Sequence, residues 1–183
     1  MALKQLSTLA AVAALAWTAA GTAQAETILK VHHFLPSGSS FHQKAIAPWC
    51  EKIEKESGGE MKCQIYPAMQ LGGTPPQLLD QVRDGVADIV WSVPTYTAGR
   101  YTKTEVFELP FMAINAKQGS QALWEYTQKN SLDEFQGIKP LFMHTTEGYV
   151  LHSNKPINKL EDMKGKKIRT ATRISAHMMV AMG

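Results

Sequence analysis

Two spacings of apolar residues organise the chain: short apolar runs bounded by Gly and Pro, and apolar residues that recur every three or four positions. Ile28 to Phe34 predicts a strand, and the stretch Pro36-Ser37-Gly38-Ser39 turns the chain toward a helix. Phe41, Ala45, Ile46, Trp49 and Ile53 give that helix one apolar face; Pro48 is expected to kink it or remove a hydrogen bond, and Gly58-Gly59 to stop it. Met61 to Tyr66 reads as the next strand. After the Gly72-Gly73 loop, Thr74-Pro75 has the form of an N-cap followed by proline in the first turn, with Leu78, Leu79 and Val82 facing inward and Gly85 ending the helix. Val86 to Val93 predicts a buried strand interrupted at Pro94. Further on, the pattern predicts a helix from Lys117 to Lys129 with Ala122, Leu123 and Tyr126 inside. Short strands are expected at Ile138 to His144, Tyr149 to His152 and Lys167 to Thr170, and a last helix from near Ser175. Strand and helix in alternation are the signature of an α/β fold.

Composition narrows the function classes. The 183 residues are 44% hydrophobic and 19% charged, enough for one ordinary core or part of a larger one. The net charge of +3 is too small and too dispersed for a polyanion-binding surface, so nucleic acid is not an expected partner. Residues 1–25 place Lys4 before an apolar stretch from Leu9 to Ala20 and end in Ala23-Gln24-Ala25, the pattern of a secretory signal peptide cleaved before Glu26. That apolar stretch is shorter than the roughly 20 residues needed to cross a bilayer, which argues against a membrane anchor. Export permits Cys50 and Cys63 to pair, stapling a helix to the sheet; two buried free thiols are the alternative.

Several blocks resemble one family in order and spacing. They are His32-His33-Phe34, the Gly72-Gly73 loop, Gly85-Val86-Ala87-Asp88-Ile89, Phe107-Glu108-Leu109-Pro110-Phe111, Asn154-Lys155-Pro156-Ile157, and the run from Leu160 to Arg169. Together they resemble the extracytoplasmic solute receptors of tripartite ATP-independent periplasmic (TRAP) transporters, the DctP-like family. The resemblance implies a periplasmic, two-lobed α/β binding protein that needs no cofactor, encloses a small organic carboxylate and delivers it to the membrane permease subunits. It also implies that residues 26–150 form most of the first lobe and residues 151–183 the crossover and the start of a second, truncated lobe.

Candidate ligand-binding residues follow from that likeness and from position. Arg169 matches the arginine that in this family clamps the substrate carboxylate, which a planar guanidinium does through two parallel hydrogen bonds; alone it would read as one solvated cation among Lys164, Lys166 and Lys167. Tyr149 stands where some members, including sialic-acid receptors, carry a second arginine, which argues against a sialic-acid-type pocket. His33 and Phe34 end the first strand, and Ser92, Pro94 and Tyr96 follow another, where open α/β sheets place their ligands. Glu147 would serve a ligand hydroxyl or hold Arg169, since facing an acid directly would be repulsive. Trp91 and Trp124, taken singly, read as structural.

Two other classes compete. Six histidines suggest metal chemistry, but none forms HExxH or a tight zinc cluster, and no nucleophile elbow, P-loop or dinucleotide fingerprint is present, so an enzyme is not expected. The other is a truncated, secreted receptor-like lobe that scaffolds a partner or binds no ligand.

Overall fold

The computed structural model describes residues 26–183. The signal-peptide expectation for residues 1–25 lies outside them. Three parallel strands, β1 (Thr27–His33), β2 (Met61–Tyr66) and β3 (Ile89–Trp91), form a sheet in the order β2-β1-β3. Thr27 faces Met61 and His32 faces Tyr66 along one edge of β1, while Val31 faces Ile89 and His33 faces Trp91 along the other. β1 is central, and its last three residues, Val31, His32 and His33, are buried.

The two-residue period of β1 sends its side chains to two differently covered faces. On one, Val31 packs with Ile46 and Cys50 under α1 (Ala47–Glu56), against Cys63 and Ile65 of β2 and Ile89 and Trp91 of β3. On the other, His32 meets Gln81 of α2 (Leu78–Arg83), while Leu79 of that helix joins Tyr101 and Phe135 in a second core that Val90 of β3 borders. The carboxyl end of β1 is therefore closed to water on both faces.

Pro48 acts as expected, though as a change of helical pitch. His42–Ile46 forms a π-helical turn, closed by Ala47 N–H on the carbonyl of His42, and α1 begins only at Ala47 with Pro48 in its first turn. A proline supplies no N–H to the ladder, so the wider turn absorbs the missing bond before regular pairing begins. The disulfide Cys50–Cys63 joins α1 to β2 with Cα atoms 5.5 Å apart. Thr74 opens the next helical segment by donating its N–H to Gln77 Oε1 at 2.8 Å, with Pro75 and Pro76 in the first turn. At Gly73 (φ +80°) a Cβ would sit 2.7 Å from Gln81 Nε2, which donates to the Gly72 carbonyl at 3.0 Å; the glycine lets the loop close on α2.

Several extended segments do not become strands. β3 is limited to Ile89–Trp91, and Val86, expected to be buried, is 44% exposed. Before β3, the N–H groups of Val86 and Ala87 turn back to the Gln81 carbonyl; after it, β1 has already ended at His33 and offers nothing to pair with. The stretches Ile138 to His144, Tyr149 to His152 and Lys167 to Thr170 have no ladder partner among the described residues. The first packs Ile138 and Met143 on the Leu79, Tyr101 and Phe135 core, and just beyond it Thr145 N–H donates to Ser120 Oγ of α3 (Ala116–Tyr126) at 3.0 Å, across a contact at Gly119 too close for a Cβ. In α3 Leu123 is buried but Ala122 is exposed, and the helix continues as a π-turn, Thr127–Ser131, whose Thr127 and Ser131 are buried. The last helix, α4 (Arg173–Ala181), starts two residues earlier than expected because Thr172 caps it, accepting from Ser175 N–H. No helix among the described residues is long and apolar enough to cross a membrane.

Candidate functional site

Aromatic side chains gather at the carboxyl ends of β1 and β3. Phe34 stacks on Trp91 with ring centres 5.1 Å apart and tilts against Tyr96 at 5.7 Å. Phe41 packs on Trp91 at 4.7 Å and stacks on His144 at 5.1 Å, and Phe142 lies 5.8 Å from His144. One hydrogen bond orders this wall: Trp91 Nε1–H donates to His144 Nε2 at 2.9 Å. The indole nitrogen has no acceptor capacity, so His144 Nε2 must be unprotonated, which leaves Nδ1 to carry the ring proton.

The histidines of β1 lie beneath the wall. Leu71 N–H donates to His32 Nε2, His32 Nδ1 donates to Gln81 Oε1 at 2.8 Å, and Gln81 passes the chain to Gly72. Burial lowers the pKa of His32 against the opposing effect of Gln81. His33 is fully buried and shares a 2.9 Å hydrogen bond between its Nε2 and His42 Nδ1. Burial, then the charges of His42 and His32, bring His33 down to about 4. Expected as a ligand contact, His33 is instead a neutral, enclosed support for the strand end.

A polar group flanks the wall. The Tyr149 residue is exposed over most of its surface, yet desolvation at its phenol end and the nearby Glu108 carboxylate raise its pKa, with Thr172, Tyr96 and Arg169 as the other influences on it. Tyr96 touches the aromatic wall through Phe34. Arg169 is exposed, between Ile168 and Thr170. Those two neighbours line a separate open groove of about 510 Å³ with Met163, Met179 and Val180.

The remaining expected residues are partly engaged elsewhere. Ser92 Oγ donates to the Pro75 carbonyl at 3.4 Å, and Pro94 opens the 3-10 turn that carries Tyr96. Glu147 Oε1 accepts the Ala116 N–H at 3.2 Å, so its carboxylate serves the start of α3. Sequence reasoning missed Phe41, Phe142, His144 and Glu108 as neighbours of the cleft and set Trp91 aside. The only signal for Glu108 was its place in the Phe107 to Phe111 block; the aromatic residues had none, since each reads as ordinary core. Below the site, Arg173 donates to the buried Glu105 at 2.6 Å and Gly99 N–H donates to its other oxygen. Burial alone would raise the Glu105 carboxyl, but these two donors outweigh it and leave it below its usual value. Among the described residues no group of three or more His, Cys, Asp or Glu side chains is placed to hold a metal ion.

A parallel sheet that gathers aromatic side chains at its carboxyl edge has the architecture of a small-ligand binding module of the α/β class. Residues 31–183 match the profile of DctP, described as bacterial extracellular solute-binding protein, family 7, and the chain belongs to that family. A TRAP solute-binding protein from Rhodoferax ferrireducens T118, solved with copurified benzoate, is similar with 46% identity and a TM-score of 0.83 over 86% of this chain and 49% of that one. A marine metagenome TRAP solute-binding protein, solved with 3-hydroxybenzoate and described as specific for aromatic acid ligands, shows 44% identity and a TM-score of 0.79 over 87% and 50%. Among curated proteins, the outer membrane transporter protein TsaT of Comamonas testosteroni is 29% identical over 98% of this chain and 53% of its own length. The chain thus spans about half the length of these relatives.

Proposed function

We propose that the protein is the periplasmic receptor of a TRAP transporter and that it captures an aromatic monocarboxylate for delivery to the membrane permease. The observation that carries this reading is the aromatic wall at the strand ends. Phe34, Phe41, Trp91 and His144 pack there and reach Tyr96, and Arg169, at the position that resembles the family's carboxylate clamp, is exposed. An aromatic acid has the matching halves: a ring face for the wall and a carboxylate for the guanidinium. An aliphatic dicarboxylate would leave the wall uncovered and its second charge without a cation. The identities of 46% and 44% with receptors solved with benzoate and 3-hydroxybenzoate support the same ligand class. Pairing of Cys50 with Cys63 and the leader-like residues 1–25 support an oxidising, exported location.

In this reading residues 26–150 supply most of one lobe and residues 151–183 begin the next, so that Arg169 comes to the ligand from a different segment than the aromatic wall. Closure around the acid replaces its water with preformed contacts and changes the surface offered to the permease. No catalytic step is assigned. Calorimetry on the full-length native polypeptide with benzoate tests the assignment. Arg169→Ala is expected to weaken binding by about 100-fold, the effect of removing a charge-assisted, paired hydrogen bond. Unchanged affinity would remove Arg169 from the site.

A further inference from the structure

Glu105 is buried, and its carboxylate is held from two sides. Gly99 N–H donates to Oε1 at 3.2 Å, and the half-exposed Arg173 donates to Oε2 at 2.6 Å. This is the only salt bridge among the described residues that joins residues 151–183 to residues 26–150. Its two ends are held differently. The turn that carries Glu105, Thr104–Glu108, is fixed to its surroundings: Thr104 N–H and Oγ1 donate to Glu134 Oε2 at 3.1 and 3.0 Å. Glu105 N–H donates to the carbonyl of Tyr101, which is enclosed in the second core. Arg173, by contrast, opens α4 after its cap Thr172, and the extended stretch Lys167 to Thr170 before it has no ladder partner among the described residues. The ends of that stretch therefore place it. At one, Lys166 N–H donates to the carbonyl of the buried Met163 at 3.0 Å; at the other stand Thr172 and Arg173.

Arg169 lies in this stretch, four residues before Arg173, a reach of at most about 14 Å along an extended backbone. A clamp carried by one segment has to meet a ligand seated on the aromatic wall of the other, and a binding constellation loses its geometry when a supporting segment shifts by about 1 Å. We infer that Glu105 is a positioning residue for ligand binding: by anchoring Arg173 to the turn Thr104–Glu108, it sets where the Arg169 segment stands relative to the wall. The inference rests on the reading of the protein as a receptor for aromatic carboxylates with Arg169 as the clamp.

Calorimetry with benzoate on the full-length native polypeptide and on the pair Glu105→Gln with Arg173→Ala tests it. The pair cuts the tie without leaving a charge buried, and thermal unfolding checks that it is folded. Affinity is expected to fall about tenfold, part of the roughly 100-fold assigned to Arg169 itself. In an Arg169→Ala background the same pair is expected to change affinity by less than about twofold, because no guanidinium is left to misplace; a merely structural role would cost the same in both backgrounds. If the pair does not fold, Arg173→Lys takes its place: a point charge without the planar fork is expected to cost about threefold with Arg169 present and nothing without it. Unchanged affinity in these variants, or an equal loss in both backgrounds, overturns this inference and leaves the receptor reading intact; a native protein that does not bind benzoate overturns both.

Discussion

Acidification attacks this fold first at His33. The side chain is wholly buried, its neutral ring is bonded to His42, and its pKa is brought down to about 4 by burial, with the His42 and His32 charges adding to the effect. An unfolded histidine titrates near 6.5. Between those two values the unfolded chain takes up a proton that the folded chain refuses, so stability falls as the pH drops from about 6.5 to about 4 and the contribution then levels off. Above about 6.5 it is fully present. At about 1.4 kcal/mol for each pH unit, His33 alone accounts for up to about 3 kcal/mol. His32, also lowered by burial, acts in the same direction, while the lowered carboxyls of Asp80 and Glu105 are lost only at the acid end of the window and below it. The assay is urea unfolding at several pH values from 7 to 4, with His33→Gln alongside the native protein. The native midpoint should slide steeply over this range and the variant, though less stable at neutral pH, should lose about 2 kcal/mol less on acidification. Parallel slopes in the two proteins, or a His33 ring that titrates near 6.5 by NMR, would refute the argument.

Two further predictions concern what ties the segments together. Removing the disulfide with the pair Cys50→Ala and Cys63→Ala should cost about 3 kcal/mol, the loop entropy of a bridge between residues 13 apart, read as a lower denaturant midpoint; the native protein under reductant should match it, and an unchanged midpoint would show that the bridge adds nothing to packing already in place. Arg173→Ala strands the nearly enclosed Glu105 carboxylate; because Arg173 itself is half-exposed, the loss is set at about 2 kcal/mol and should be largely recovered by adding Glu105→Gln, a rescue that thermal unfolding of the single and double variants would reveal or deny.

The sequence by itself determined the local elements between Thr27 and Arg83. β1, β2, α1 and the Thr74 start were legible because each rests on a short-range rule: a two- or four-residue apolar period, a cap, or a proline in a first turn. The pairing of Cys50 with Cys63 was expected from export, with two free thiols as the alternative, and the structure forms the bridge. The family was legible as well, because separate blocks kept their order. Extended stretches were another matter. The segment from Ile138 to His144 has the composition of a strand, but a strand exists only where a second backbone lies alongside, and this one packs its Ile138 and Met143 on the second core without a ladder partner among the described residues. Tertiary structure alone decided the site. Phe34 and Tyr96 were legible as candidates from their places after strands, but Phe41, Trp91 and His144 were not, and the half-buried five become a wall only where β1 and β3 end together. It likewise sent Glu147 to the start of α3 and closed His33 beneath the surface. Contacts between residues distant in sequence depend on which faces meet, and hydrophobic periodicity says which residues turn inward without saying what they turn toward.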